Sequence, residues 1–293
     1  MAVNETEEQF KYRTLRLSGI AKESHEVLIP ISGCENIPLV SLEESIEPLV
    51  SLLPSIGIYA NLAKQKYDKS DDCLSLDESA ANILYSMNWK PIDECLYVAL
   101  NAALRSKDRG NLIPWFLFLK LFLTALYKLP SIPRQIVYGG CRFDLHTYYK
   151  KEETIVWWGF STCTTSKETL EMEKILGTTD LRTIFTIDCY SGKDIRKYSY
   201  NPLENDRLLL GGIQFKVVDC TDNGSGLHMI HLKEIQSPFA LLDRPSSDFS
   251  QKDSIQRGSK STSRDQVVRA RAFEDIPVGE STPPNSTKVN RPK

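Results

Sequence analysis

The sequence predicts an α+β fold. Between residues 75 and 130 apolar side chains recur at three- and four-residue spacing, the period of a helix with one buried face. After Pro133 the chain breaks into short β-branched or aromatic runs separated by Gly, Asn, Asp and Ser clusters. Helices first and strands afterwards argue for a helical lobe followed by a β core rather than an alternating α/β chain. A hydrophobic content of 41% and a charged content of 25% over 293 residues fit a soluble globular protein of one large domain or two small ones.

Residues 1–74 read as an N-terminal extension, partly helical. Its first 40 or so residues show little periodicity and are expected to form an irregular or loosely packed arm. Ser41 and Glu44 stand at capping-box spacing and open a helix that Pro48 kinks or ends. A polar linker, 67–73, follows. Ser75 and Glu78 repeat the capping-box spacing at the start of the main domain, 75–240. There Ala80, Ile83, Leu84 and Met87 form one helical face, and beyond Pro91 so do Ile92, Cys95, Leu96, Ala99 and Ala103. The stretch 111–129 is the most apolar. It is too short to span a bilayer comfortably, and Lys120, Thr124 and Lys128 recur every four residues along it. It is expected to be a nearly buried helix with Pro114 in its first turn, closing the helical lobe at 130. In the β core, 131–240, strands are expected over 134–138, 154–158, 182–188, 207–218 and 227–235, with a short helix over 166–176. From 241 to 293 the chain is rich in Ser, Pro, Arg, Lys and Asp, and reads as a disordered, mildly basic tail.

A net charge of −2 gives no reason to expect nucleic acid or an anionic membrane as partner. The seven cysteines are dispersed, with no CxxC pair, which suits a reducing compartment better than a disulfide framework. The polar start MAVNETEEQF lacks the apolar segment of a signal peptide, so the expected location is cytoplasmic. His228 and His231 would point to opposite faces of a strand, and no metal is expected. Neither GxGxxG, GxxxxGKT nor GxSxG occurs.

Three stretches carry candidate chemistry. Glu204 and Asp206 are two residues apart at the head of an apolar run, so on a strand they share a face. Carboxylates placed side by side can stabilise a developing oxocarbenium ion, or can simply form an acidic turn facing water. VWWGFSTCTTS, 156–166, runs a strand into a hydroxyl-rich bend that can hold a ribose or cap the next helix. VYGGC, 137–141, brings two glycines together, which permits close approach of a ligand or a tight turn.

Taken in order, the helical block, VYGG, VWWGFSTCT, GKDI and ENDRLLLGGIQFKVV resemble the arginine-type mono-ADP-ribosyltransferases of the R-S-E class, over about residues 40–240. The match is nearest to the intracellular-looking rotifer versions. The resemblance implies a helical lobe packed on two antiparallel β-sheets, with NAD in the cleft between the sheets, NADP being possible, and no metal. Tyr138, Gly139 and Gly140 fall on the family's Tyr-Arg-Gly, so Gly139 stands where the phosphate-binding arginine belongs; Arg134 and Arg142 lie nearby. Ser161 precedes Thr162, Cys163 and Thr164, which fall on Ser-Thr-Ser, so Thr162 stands for the serine that supports the catalytic acid. Glu204 and Asp206 fall on Glu-x-Glu. Glu204 takes the role of favouring a guanidinium acceptor, and Asp206, one methylene short, that of gripping the nicotinamide ribose. The implied acceptor is a protein with an exposed arginine. A catalytically degenerate member that acts by binding, and an NAD glycohydrolase with water as acceptor, are the alternatives.

Overall fold

A computed structural model describes residues 7–23, 28–34, 36–67, 73–172, 174–201, 206–238 and 240–242. Glu204, and the tail from 243 onward, lie outside the described residues.

The arm is helical over residues 7–22, while its described residues from 28 to 40 carry no helix or strand. Helix α1 (Glu7–Leu17) leads into a 3-10 turn, Gly19–Lys22. Glu7 and Glu8 in the first turn and Arg16 in the last complement the helix dipole. Tyr12, Arg13, Arg16, Leu17 and Ile20 are all buried. Two of these five are arginines, and they break the apolar pattern by which a buried helix face is recognised.

The helical lobe holds α2 (Leu42–Ile46), α3 (Ile56–Gln65), α4 (Leu76–Ser86), α5 (Leu96–Leu104) and α6 (Phe116–Lys128). Both capping boxes form. Glu44 N–H donates to Ser41 Oγ and Ser41 N–H to Glu44 Oε2; Ser75 and Glu78 make the same reciprocal pair. Pro48 lies in the 3-10 turn Glu47–Leu49 that follows α2. Pro114 sits in a 3-10 turn, Arg109–Trp115, ahead of α6 rather than in its first turn. Leu42, Ile56, Leu84, Leu100 and Phe122 belong to one buried cluster, so α2 and α3 share the core of α4–α6. Among the described residues, the span Arg109–Lys128 is long and apolar enough to cross a membrane by length and composition alone, yet 56% of that window is buried inside the fold. Lys120 is buried too, and Lys128 Nζ lies 2.6 Å from Glu78 Oε1.

The strands are β1 (Gln135–Cys141), β2 (Thr154–Trp157), β3 (Ser161–Thr164), β4 (Arg182–Cys189), β5 (Asp206–Leu209), β6 (Ile213–Asp222) and β7 (Leu227–Ile235), with the short helix α7 (Lys167–Glu171) after β3. They form one seven-stranded sheet in the order β2-β6-β7-β4-β1-β3-β5. This corrects the expectation of two antiparallel sheets. Two antiparallel groups do exist, β2-β6-β7 and β4-β1-β3-β5, but β4 and β7 join them in parallel from Arg182↔Leu227 to Asp188↔Lys233. Thr183, Ile184, Phe185 and Ile187 of β4 are all fully buried, on both faces of the strand. A strand so enclosed needs ladder partners on both edges, because an unpaired backbone N–H or C=O would be stranded away from water. No cleft between separate sheets follows from this topology.

Candidate functional site

The site is built where β1, β3 and β5 lie side by side. Tyr138 is opposite Thr164, and Thr164 is opposite Asp206. Directly opposed residues project to the same side of a sheet, so one cross-strand row carries a phenol, a hydroxyl and a carboxylate. Thr162, two residues before Thr164, shares that side and lines one small cavity with Asp206, Arg16 and Tyr85. The three sequence-predicted stretches are thus neighbours in space, as far as they are described.

The bend that feeds β3 is fixed by two buried side chains that carry no motif. Glu23 accepts from Trp158 N–H at 2.7 Å and from Gly159 N–H at 3.3 Å, and from Arg105 Nε at 2.6 Å. Burial pushes the Glu23 carboxyl up, and the charge and hydrogen bond of Arg105 oppose that. Asn101 donates from Nδ2 to Phe160 O at 3.0 Å and accepts from Phe160 N–H at 2.8 Å. A signal for Asn101 does exist in the sequence, since an amide on the apolar face of Leu96, Leu100 and Leu104 demands partners.

The hydroxyls of β3 divide in function. Thr164 Oγ1 accepts from Ser166 N–H at 3.3 Å, steering the chain into α7. Ser161 Oγ is buried and finds no hydrogen-bond partner among the described residues. Cys163, between the threonines, has its thiol held well above the usual range, by burial first and then by Cys189 and Asp206. A thiol kept protonated is not a nucleophile at neutral pH.

The glycines answer to packing. A Cβ at Gly140 would lie 2.8 Å from Thr183 O and 2.6 Å from Leu176 Cδ1. A Cβ at Gly139 would collide with Ile20 Cδ1 and sit 3.7 Å from Cys163 Sγ. The place where the resemblance expects a phosphate-binding arginine is therefore filled by Ile20. Neither nearby strand arginine is drawn to the row. Arg134 forms a two-point pair with Asp188, at 2.8 and 2.5 Å, and Arg142 Nε donates to Ile175 O.

Two cations reach the row from α1, and Arg196 lines the same small cavity. Arg13 Nη2 donates to Asp206 Oδ1 at 3.0 Å, with side-chain exposures of only 10% and 9%. Arg16 Nη1 donates to Asn88 Oδ1 at 2.9 Å. Neither residue stood out in the sequence, because both lie far from the motifs that β1, β3 and β5 carry. The GKDI segment closes the free edge of β5: Lys193 and Leu208 exchange backbone hydrogen bonds of 2.8 and 2.9 Å. Beside it Arg196 chelates Asp194, whose carboxyl is held below the usual range chiefly by that hydrogen bond.

Two other features lie apart from the row. Asp144, His146 and His228 place ligand atoms within 4.8 Å of one another. The imidazoles stack at 4.4 Å with an interplanar angle of 11°. Their lone pairs then lie in nearly parallel planes, and one ion cannot sit in both. A separate cavity, about 910 Å³, lies at the end of β5 opposite Asp206, bounded by Tyr127, Lys193, Gly211, Glu234 and Leu242. It includes none of the predicted site residues.

The family model for NAD:arginine ADP-ribosyltransferase matches residues 60–238, more than half of the chain. No curated protein matches the sequence. Among solved structures, a mutant of the eukaryotic mono-ADP-ribosyltransferase ART2.2 in complex with NAD is similar at 18% identity, covering 68% of this chain and 85% of that one, with a TM-score of 0.51. A second ART2.2 mutant, in complex with NADH, is similar at 17% identity over the same shares, also at 0.51. The ADP-ribosyltransferase HopU1 of Pseudomonas syringae pv. Tomato DC3000 is similar at 18% identity over 80% of this chain and 99% of its own, at 0.47. At these identities the likeness is one of fold.

Proposed function

Because this chain belongs to the NAD:arginine ADP-ribosyltransferase family, we propose that it acts on NAD at the row formed by Tyr138, Thr164 and Asp206, as a mono-ADP-ribosyltransferase. The observation that supports this reading is the register itself. It brings Tyr138, Thr164 and Asp206, one from each of the three stretches, opposite one another on adjacent strands.

In this reading the bond between nicotinamide and the ribose C1 breaks, and its electron pair leaves with nicotinamide. The ribose carries oxocarbenium character, which the Asp206 carboxylate stabilises. Thr162 supports Asp206 or the ribose through its hydroxyl. Tyr138, Gly139, Gly140, Ser161 and Thr164 border the nucleotide. A guanidino nitrogen of a protein arginine, aligned by Glu204, forms the new C–N bond and gives up a proton to the acidic pair. All three signature positions are substituted, as Gly139, Thr162 and Asp206. Asp206 reaches one methylene less than glutamate, and a displacement of about 1 Å in a positioned group costs on the order of a hundredfold in rate. Slow turnover is the expectation, with NAD preferred and NADP the possible second donor. The seven cysteines are dispersed with no CxxC pair, and the setting proposed is cytoplasmic.

The test is incubation of the full chain with labelled NAD and an arginine-rich protein. Label on the acceptor supports transfer. Free ADP-ribose without labelled acceptor moves the reading to glycohydrolysis, and no consumption moves it to a binding protein. If transfer occurs, Asp206→Asn is expected to lower it by about 10²–10³-fold, the usual consequence of losing one charge-stabilising group. Turnover by Asp206→Asn at the wild-type rate would remove Asp206 from the chemistry.

A further inference from the structure

The segment 7–23 precedes the family match, which begins at residue 60. It nevertheless occupies the row that the proposed function needs. Arg13 brings a guanidinium to Asp206 at 3.0 Å. Arg16 lines the space between Asp206 and Thr162, a cavity of only about 20 Å³. That is room for about one water, whereas ligand pockets run to several hundred Å³.

The rest of the segment is docked along the same strands. Leu17 is fully buried and clusters with Leu170, Ile175, Leu176 and Tyr138, and Thr14 Oγ1 donates to Lys174 O at 3.2 Å. The segment is thereby tied both to β1 and to the stretch that follows β3. Ile20 takes the space beside Gly139, on the Cys163 side of the strands. Glu23 ends the segment on the backbone of Trp158 and Gly159. Arg13 and Arg16 thus stand at Asp206 and Leu17 packs with Tyr138, the two ends of the row.

We propose that α1 and the turn after it are an internal plug, and that Arg13 holds the Asp206 carboxylate which the ribose of NAD would need, so that NAD must displace it. The inference rests on the reading of this row as an NAD site and adds its regulation. The buried face of the plug is part apolar and part ionic. Two of its five buried side chains are arginines, whose desolvation offsets most of what their pairing contributes. A segment held this way is suited to exchange places with a ligand. Its open fraction also multiplies directly into the apparent affinity of whatever enters.

The experiment uses the full chain and labelled NAD. Equilibrium dialysis gives the affinity of the wild type and of two variants, Arg13→Gln and Arg13→Gln with Leu17→Ser. Amide hydrogen exchange across residues 8–17 is followed with and without saturating NAD. The plug predicts that NAD lowers protection of these amides in the wild type, and that loosening the arm tightens NAD binding by roughly tenfold or more. NAD binding that leaves their protection unchanged or raises it would show that the arm is part of the binding site, and would overturn the plug while leaving the NAD reading intact. Equal affinity in all three proteins would do the same. Absence of NAD binding in a variant that unfolds cooperatively and whose 8–17 amides exchange freely would remove the NAD reading itself, and the plug with it. The wild-type exchange measurement needs no variant to fold.

Discussion

Asn101 decides whether β3 starts in the right place. Its amide meets both the N–H and the C=O of Phe160, two buried backbone groups immediately before the Ser161–Thr164 strand. Asn101→Leu keeps the volume and the helix, and leaves both groups without partners. Each buried unsatisfied group costs about 1–3 kcal/mol, so the substitution is expected to destabilise the fold by about 2–4 kcal/mol. A fall in the urea midpoint at unchanged m-value is the measurement that checks it; a midpoint within error of the wild type would show that the bend is held without Asn101. The same residue marks what a sequence displays at this scale. Glu204 and Asp206 announce themselves because their spacing is local. Asn101 and Glu23 act on backbone groups 59 and 135 residues away, and no local pattern records such a pairing.

Elements formed where the signals were short-range. The boxes at Ser41/Glu44 and Ser75/Glu78 depend on residues three apart, and both appear as read. They are not equal in consequence. Ser75→Ala removes one cap at the head of α4 and is expected to cost about 1 kcal/mol. Glu78 caps the same helix and also pairs with Lys128 on α6, while its own side chain is only 2% exposed. Glu78→Ala is therefore expected to cost more, on the order of 3 kcal/mol, because it strands a partly buried cation as well. Thermal unfolding of the two variants side by side gives the comparison, and equal losses would mean that the α4–α6 pair contributes nothing. The elements that the sequence misplaced are those set by distant partners. Helix α1 buries Arg13 against a carboxylate 193 residues away, and the β4–β7 seam pairs strands in parallel across 45 positions of chain. Composition and period cannot distinguish two sheets from one when the joining ladder is of this kind.

Across the whole molecule, acid stability divides into two opposed sets of carboxylates. Asp144, Asp188 and Asp194 are each held below the usual range, principally by hydrogen bonds from His146, Arg134 and Arg196. A depressed carboxyl adds stability that is present above its unfolded pKa, about 3.9, and is lost as pH falls through its lower folded value. Glu23 runs the other way. Burial raises it, so its contribution is full below the unfolded value, about 4.3, and declines as pH rises through the folded one. The two signs together place maximal stability on the acid side of neutrality, with a fall below about pH 4. Asp194 is the informative member, because it serves Arg196 directly and Arg207 at 3.7 Å beside the edge of β5. Asp194→Asn removes its titration while keeping its size. The variant is expected to be less stable than the wild type at pH 6, and the gap is expected to shrink as pH falls below the unfolded value and the wild-type carboxyl takes up its proton. Urea midpoints measured for both proteins from pH 2 to pH 8 check this. Parallel curves, with the gap undiminished in acid, would show that Asp194 acts through packing rather than through its charge.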